Sequence, residues 1–305
     1  MPNFVTTSLP KYVQENKDML LKNFALVGGS TRSRISVQTG IKSTARINFL
    51  EIAPVLQDGN GCGFNAEGAV SLSQRDIETA VIKVNLEICP ETLRGKYAEY
   101  LIKTNADEQT LPFEQYVMEG MTNVLNRKTE ILMWQGDKAS NNTDLKWING
   151  FLKVAAAESD VKKVTITTDK IYDAILDVYM ALPDEVIERG AEIYVSPSNF
   201  RKFMQELVAK NYFHYAGAIE AAPEEFYFPG TNAKVVMTPG LAGADNEIIG
   251  TFAKNLFYGC DMEGDQEVFK LTWSEDKDLF LLKVKWNMGV QIAFPDMVVR
   301  GTTAA

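Results

Sequence analysis

The stretch FLLKVKWNMGVQIAF, from Phe280 to Phe294, decides the fold of this 305-residue chain. Every second residue in it is apolar, and this set consists of Phe280, Leu282, Val284, Trp286, Met288, Val290, Ile292 and Phe294. The positions between them include Lys283, Lys285, Asn287 and Gln291. A period of two is typical of a β-strand with one buried face. A strand of about 15 residues spans roughly 50 Å, well beyond the usual five or six residues, so it needs an elongated partner.

The stretch from Leu111 to Trp134 supplies such a partner. Pro112 lies near its start and Gly136 just past its end, as is common for helices. Its apolar residues recur at helical spacing on one stripe: Val117, Met118, Met121, Val124, Leu125, Ile131 and Leu132. At 1.5 Å per residue the helix would be roughly 36 Å long. The sequence therefore predicts a long spine helix that packs on the long strand.

A second pair of strands is predicted upstream of this helix. The segments INFLEIAPVL (47–56) and AVSLSQRDIETAVIKVNLEI (69–88) are typical of β-strands, and the turn-like segment DGNGCGFNAEG (58–68) separates them. We therefore predict that residues 45–88 form one projecting β-hairpin. Such a hairpin is too long to be covered by the rest of its own chain.

The remaining segments predict mixed α and β structure. Pro90 begins a short amphipathic helix that continues to Leu101. A helix over 171–182 ends at Pro183. The segment AEIYV (191–195) predicts a strand, followed by a helix that Ser196 caps, and three short strands follow within AKVVMT (233–238), EIIGTF (247–252) and NLFYG (255–259).

The charge of the chain is distributed unevenly. The net charge is −9, yet residues 1–50 hold seven basic and only two acidic side chains. A basic arm on an acidic body can be a nucleic-acid tail or an arm that docks on a neighbouring copy of the chain. The basic residues are interspersed with apolar ones, which favours docking. Because the pattern over residues 1–40 is too irregular for one helix, we predict an extended arm.

Residues that could carry chemistry do not form a recognisable motif. His214 is the only histidine, and Cys62 has no basic neighbour that would lower its thiol pKa. The glycine-rich segments VGGSTRS and DGNGCG lack phosphate-loop spacing. Asp169, Asp173 and Asp177 could collect a cation from one helix face, but a solvated acidic face explains them equally. We therefore assign no catalytic residue, cofactor-binding residue or metal ligand, and we do not expect an enzyme.

Composition limits the compartment and the class of protein. The hydrophobic fraction of 46% is enough for a core of ordinary size. Three cysteines, Cys62, Cys89 and Cys260, argue against a disulfide scaffold and favour a reducing cytoplasm. The sequence has neither the pattern of a signal peptide nor an apolar run of about 20 residues that could span a membrane. We therefore expect a soluble protein made in the cytoplasm.

The order of these parts resembles that of a known family of shell proteins. The segments VQTGIKSTARINFLEI (37–52), CGFNAEG (62–68) and SLSQRDIETAVIKVNLEICPETL (71–93) resemble major capsid proteins of tailed bacteriophages. LPFEQYVMEGMTNVLNRKTEILMWQGD (111–137) and IYDAILDVYMALPDEVIERGAEIYVSPSNFRKF (171–203) extend the match, which runs from about Ile35 to Val299. The amino-acid sequences of these segments are similar to those of capsid proteins of phages that infect gut Bacteroidales, including the crAss-like group. No single segment is diagnostic alone.

The resemblance implies an α+β chain with the Hong Kong 97-type capsid fold. On this map residues 1–40 are the N-terminal arm and 41–88 the extended loop, a β-hairpin. Residues 89–160 and 268–305 are the peripheral domain, with the spine helix and the long strand. Residues 161–267 are the axial domain.

The resemblance also implies a structural protein of the virion, made in the cytoplasm of a host bacterium. Copies would self-assemble into the hexamers and pentamers of an icosahedral head that encloses double-stranded DNA, in contact with portal, scaffold and other head proteins. No cofactor and no membrane is expected. An encapsulin-like nanocompartment shell is the first alternative, and a cytosolic enzyme is a remote one.

Overall fold

The computed structural model describes residues 8–16, 31–56, 67–89, 113–210, 225–261 and 268–303. The helices of this part of the chain are α1 (Ser8–Glu15), α2 (Phe113–Gln135), α3 (Phe151–Ala157), α4 (Ile171–Ala181), α5 (Asp184–Glu188) and α6 (Pro197–Ala209). The strands are β1 (Ser36–Gln38), β2 (Thr44–Pro54), β3 (Gly68–Glu78), β4 (Ala80–Ile88), β5 (Lys162–Ile166), β6 (Ala191–Val195), β7 (Glu225–Tyr227), β8 (Lys234–Met237), β9 (Glu247–Phe252), β10 (Leu256–Cys260), β11 (Val268–Ser274), β12 (Leu279–Ile292) and β13 (Val299–Thr303). The predicted helix after Pro90 lies outside the described residues.

Strand β12 is the centre of a five-stranded sheet, and its predicted length is confirmed. Its 14 residues span about 46 Å. Along one edge it pairs antiparallel with β4, from Phe280 opposite Ile88 to Met288 opposite Ala80. Along its other edge it pairs antiparallel with β11 and then β10, and β1 adds parallel to β10. A strand of this length thus organises four shorter ones.

The predicted long helix is confirmed as α2, and it shares one core with β12. The apolar face of β12 is buried, as the alternation predicted, with Phe280, Leu282, Val284, Trp286 and Met288 at most 3% exposed. From α2 the side chains in the same core include Met118, Leu125, Leu132 and Met133. Helix α3 adds Phe151 and Ala155 to it. The helix and the strand therefore form the predicted spine.

A six-stranded mixed sheet holds a second core. Its strand order is β5-β13-β9-β6-β8-β7. Helices α4 and α6 bury one face each against it, with Ile171, Ile175 and Val178 from α4 and Phe203 and Leu207 from α6. The predicted cap of α6 is confirmed, because the backbone N–H of Asn199 donates to Ser196 Oγ at 3.1 Å.

The structure corrects the predicted extent of the hairpin. Strands β2 and β3 pair with each other from Thr44 opposite Glu78 to Pro54 opposite Gly68, as a separate two-stranded sheet. The extended stretch then breaks at Thr79, whose backbone N–H donates to Ser43 O at 2.8 Å. The residues that follow belong to the five-stranded sheet as β4. The alternation of β3 and β4 looks continuous, and only the long-range partner separates them, so the stretch predicted as one hairpin strand up to residue 88 is two strands.

Two further strands pair outside the sheet in which the predicted map led us to expect them. Strand β13 was expected with the peripheral segment 268–305, but it pairs with β5 and β9 inside the six-stranded sheet. Strand β10 was expected with the axial segment 161–267, but it pairs with β12 in the five-stranded sheet. The chain therefore crosses between the sheets near residues 256 and 298. Short apolar strands carry no sign of which sheet they join, since that choice depends on distant partners.

The predicted extended arm is wrong in its described parts. Residues 8–15 form α1, whose Val13 is buried in the main core, and α1 packs beside β11 and α2. Further along, Thr31 and Arg32 are buried and β1 pairs with β10. These segments dock on their own chain, because their apolar and hydrogen-bonding groups find partners there. Docking of the arm on a neighbouring copy of the chain stays a prediction.

We expect Trp286→Ala to lower the free energy of unfolding by about 3–5 kcal/mol, because truncating a buried tryptophan leaves a cavity in the spine core. Urea unfolding followed by circular dichroism measures this change. Trp147→Ala is the matched control, since Trp147 is 45% exposed, and it should cost about 1 kcal/mol or less. Equal losses in the two variants would contradict the assignment of Trp286 to the central core.

Candidate functional site

The residues considered for chemistry are not brought together. Asp169 and Asp177 are exposed at the α4 helix, and Asp173 accepts a hydrogen bond from Lys210 Nζ at 3.2 Å. His214 and Cys62 lie outside the described residues. Within the described ranges no group of three or more His, Cys, Asp or Glu side chains is arranged to hold a metal ion. In the same ranges, no helix combines the length and the apolar character that crossing a membrane requires.

The hairpin of β2 and β3 is a separate two-stranded sheet beside the two larger ones. Two glycines fix the position of its base. Gly259 in β10 and Gly289 in β12 are directly opposite each other in the sheet. A Cβ atom on Gly289 would overlap the carbonyl oxygen of Glu78, and one on Gly259 would lie 2.8 Å from Ile41 Cδ1. Because neither glycine has a side chain, the base of the hairpin can cross the sheet in close contact.

Apolar side chains complete this base. Ile41, Ile47, Phe49 and Ile77 are buried in a small cluster with Ala293. The ring of Phe49 lies 4.8 Å from that of Phe294, measured between centroids. The sequence analysis predicted a hairpin here but not its anchor. The signal was available in part, because Gly289 lies inside the strongest strand pattern in the chain, where a glycine often marks a close backbone approach.

Two ion pairs tie the hairpin to the rest of the chain. Arg75 Nη1 in β3 lies 2.7 Å from Glu158 Oε1, just after α3, and both side chains are partly buried. Lys138 Nζ lies 2.9 Å from Glu78 Oε2 at an exposed position. The partly buried Arg75 pair contributes more than the exposed one, since solvent screens exposed pairs. The root of the hairpin is therefore held firmly on its own chain.

Toward the far end of the described part of the hairpin, three apolar side chains face solvent. Leu72 in β3 is 62% exposed, and Val55 and Leu56, just after β2, are 53% and 97% exposed. An isolated two-stranded ribbon is marginally stable in water. Exposed large apolar side chains on one projecting element are typical of surfaces that bind another protein. We define Leu72, Val55 and Leu56 as the hairpin tip, and the tip is the candidate functional surface.

The segment at Thr31 and Arg32 forms a clamp over the C-terminal half of α2. The backbone N–H of Thr31 donates to Glu130 Oε1 at 3.0 Å, and Trp134 Nε1 donates to Thr31 Oγ1 at 3.1 Å. Arg32 Nη2 donates to Asn126 Oδ1 at 3.2 Å. The ring of Trp134 also contacts Tyr194 of β6, with 5.1 Å between centroids. Trp134 therefore joins the clamp, the spine and the six-stranded sheet.

Arg34 extends this clamp onto the six-stranded sheet. Its Nη1 atom lies 2.5 Å from Glu225 Oε2 and 3.5 Å from Glu192 Oε1, and the Tyr194 hydroxyl donates to Glu192 Oε2 at 2.7 Å. Burial acts to lower the pKa of Arg34, but the hydrogen bond to Glu225 and the nearby carboxylates outweigh it and raise that pKa. Burial and the neighbouring Glu192 raise the pKa of Tyr194 well above its usual value.

The pKa of Glu225 is lowered, in contrast to the raised pKa values of Arg34 and Tyr194. Burial acts to raise its pKa, but hydrogen bonds from Arg34 and Lys234 and the charges of these two side chains lower it. A carboxyl group whose pKa is lowered by folding stabilises the folded state when it is ionised. This contribution is present above the ordinary glutamate pKa of 4.5 and is lost as the pH falls through the lowered value. The network therefore strengthens the attachment of the arm at neutral pH.

Comparison with known proteins identifies the fold. No model of a known protein family matches this chain, and no curated protein matches it in sequence. Among solved structures, a subunit of the satellite phage P4 procapsid covers 95% of this chain and 98% of its own, with 12% identity and a TM-score of 0.60. The capsid of an empty GTA particle covers 91% and 90%, with 13% identity and a TM-score of 0.59. A virus-like particle from Pyrococcus furiosus covers 94% and 97%, with 13% identity and a TM-score of 0.53.

At these low identities the likeness establishes the fold. It extends over nearly the whole length of both chains in each comparison. The chain therefore has the fold of phage capsid proteins, and the predicted Hong Kong 97-type fold is confirmed.

We expect Gly289→Ala to displace the base of the hairpin, because the new methyl group overlaps the Glu78 carbonyl oxygen. Such overpacking costs about 1–3 kcal/mol of unfolding free energy, measurable by urea unfolding. Gly120→Ala is the control, and it should raise the free energy of unfolding where Gly289→Ala lowers it. Its site in α2 has open space, and alanine stabilises a helix interior by up to about 1 kcal/mol relative to glycine. A Gly289→Ala protein as stable as wild type would exclude the close crossing.

We expect Glu225→Gln to lower the thermal midpoint at pH 7, because Arg34 and Lys234 each lose a charged partner. The difference from wild type should shrink as the pH falls from 4.5 through the lowered pKa of Glu225, because the wild-type carboxyl group is then protonated as well. Glu185→Gln, at an exposed position, serves as control and should change little. A difference that is independent of pH would show that the ionised form of Glu225 contributes nothing.

Proposed function

We propose that this chain is the major capsid protein of a tailed bacteriophage, a structural subunit and not an enzyme. Copies assemble into the hexamers and pentamers of an icosahedral head around double-stranded DNA. The observation that carries the proposal is the hairpin, which is anchored firmly at its base and exposes apolar side chains at its tip. The fold supports it, because solved structures with this fold over nearly their whole length are subunits of phage and virus-like shells.

In the proposed assembly the hairpin tip lies on an adjacent subunit. Burial of an exposed leucine side chain stabilises a contact by about 1.5–3 kcal/mol. One such contact is weak, but every subunit in a closed ring both donates a tip and receives one. The hairpin suits this role because its anchored base fixes its direction while its tip remains available. The cost of ordering the tip is then small, which favours association.

The proposed domain map is adjusted to the sheets. The arm retains residues 1–40, and the extended loop is shortened to residues 41–79. The peripheral domain combines the five-stranded sheet with α2 and α3, and the axial domain combines the six-stranded sheet with α4, α5 and α6. In this proposal, portal, scaffold and other head proteins are partners, and the mature location is the virion after synthesis in the host cytoplasm.

A second candidate is an encapsulin-like shell that encloses proteins in place of DNA. The likeness to the virus-like particle from Pyrococcus furiosus favours it to a limited degree. The contents of purified particles distinguish the two candidates, since a nanocompartment yields an enclosed protein and a phage head yields DNA.

We expect the purified wild-type protein to form shells or capsomers visible by negative-stain electron microscopy. The double variant Leu56→Ser, Leu72→Ser should fold normally but assemble at least tenfold less, because the apolar contact of the tip is lost. Met180→Ser is the matched control, since Met180 is 73% exposed on α4, and it should assemble like wild type. Normal shells from the double variant would exclude the tip from assembly.

Amide exchange gives a second measurement of the same prediction. Residues 68–72 should exchange quickly in unassembled protein and become protected in shells. Residues 80–88 should be protected in both states, because β4 pairs with β12 within one chain. Fast exchange of residues 68–72 within intact shells would contradict the docking of the tip.

A further inference from the structure

The outer face of the five-stranded sheet, opposite the spine core, carries four lysines. Lys283 and Lys285 lie on this face of β12 because they alternate with its buried residues. In the register of the sheet, Lys285 is directly opposite Lys83 of β4, and Lys283 is directly opposite Lys270 of β11. We call these four residues the lysine face. Three of them are exposed and Lys285 is partly exposed.

The arrangement of the lysine face costs stability. Like charges directly opposite each other on neighbouring strands repel and destabilise the pair. Among the described residues none of the four lysines makes an ion pair, whereas other lysines do, including Lys128, Lys138, Lys153, Lys210, Lys234 and Lys277. On a chain of net charge −9, acidic side chains were available to neutralise this surface. The uncompensated charge therefore indicates a surface that binds an external anion.

The borders of the lysine face leave it open as a flat, polar surface. On one side the chain covers the sheet, because Asn287 Nδ2 donates to Lys42 O at 3.1 Å. On the other side Lys277 Nζ pairs with Glu87 Oε1 at 2.6 Å. The neighbouring apolar side chains are few, with Leu281 partly buried and Val81 43% exposed. Lysine is depleted from the cores of protein interfaces, which are built on large apolar anchors, so this surface suits a protein partner poorly.

The spacing of the four charges matches a dense polyanion. Residues two apart on β12 are separated by about 6.7 Å, and neighbouring strands by about 4.8 Å. The four ammonium groups thus project from an area of roughly 7 by 10 Å. Double-stranded DNA carries one negative charge for about every 1.7 Å of its axis. A flat group of four lysines can therefore contact several phosphates of one duplex at once.

We propose that the lysine face binds the phosphate backbone of double-stranded DNA without sequence specificity, which rests on the proposed function for the source of the DNA. Phosphate contacts position a duplex but carry no sequence information. Apart from the basic first 50 residues, the rest of the chain is acidic and repels DNA, which favours contact at this face. The lysine face is then the surface that each subunit turns toward the packaged DNA.

The test uses the unassembled full-length chain and a short fluorescein-labelled DNA duplex, with binding followed by fluorescence anisotropy over a series of salt concentrations. One variant carries Lys83→Gln, Lys270→Gln, Lys283→Gln and Lys285→Gln. The matched control carries Lys146→Gln, Lys163→Gln, Lys202→Gln and Lys254→Gln, four exposed lysines elsewhere, and changes the net charge equally. Both proteins are checked by circular dichroism. The lysine-face variant should be at least as stable as wild type because the opposed charges are gone.

The expected result is binding by wild type that weakens with salt, and a slope of log affinity against log salt that falls by about 3 to 4 in the lysine-face variant. The control variant should change that slope by less than about 1. Equal losses in both variants would show that only net charge matters and would overturn the proposal. Absence of salt-dependent binding by wild type would overturn it as well.

Electron microscopy of the same proteins separates this inference from the proposed function. Shells that form normally without any DNA binding by the lysine face would overturn the inference and leave the shell function intact. DNA binding through the lysine face by a protein that never assembles would overturn the shell function and leave the DNA-binding inference intact. A lysine-face variant that binds DNA like wild type but fails to assemble would identify the occupant as a neighbouring copy and overturn the DNA proposal.

Discussion

The burial of one face of β12 is the interaction on which the rest of the structure depends. Its alternating apolar residues, from Phe280 to Met288, close a core with the stripe of α2 that includes Leu125 and Leu132. Each large side chain buried there stabilises the fold by about 1.5–3 kcal/mol. Since β12 also pairs with β4, β10 and β11, its position fixes theirs. The other face of the same strand is then free to carry lysines.

The hairpin can pack on the five-stranded sheet because two residues of that sheet are glycines. Gly259 and Gly289 open one site on the five-stranded sheet where another segment can cross it closely, and Ile41 and Ile77 fill that site. The result is a hairpin that is rigid at its root and exposes apolar residues at its tip. Under the proposed function, this division lets each subunit contact its neighbour without reorganising its own core.

The N-terminal segment joins the two sheets and does not extend freely from them. Thr31 hydrogen-bonds to Glu130 and Trp134 in the spine, and Arg34 reaches Glu192 and Glu225 in the six-stranded sheet. Because Trp134 also contacts Tyr194, the junction is both apolar and polar. Relative movement of the two sheets would have to break these contacts together. The described arm residues are therefore structural parts of the subunit.

The sequence by itself determined the elements with a strong period: β12, α2, the paired strands β2 and β3, and the helix that follows Ser196. In these elements the buried apolar residues recur every two to four positions, so a short stretch of sequence is enough to predict the buried face. Of the candidate site, the sequence predicted a projecting hairpin but not the glycines that anchor it. Only the tertiary structure decided that β4 pairs with β12, that β13 crosses into the second sheet, and that Thr31 and Arg34 bind their own chain. Those choices join residues that lie up to about 200 positions apart, and they depend on the shape and charge of surfaces that exist only after the core has formed.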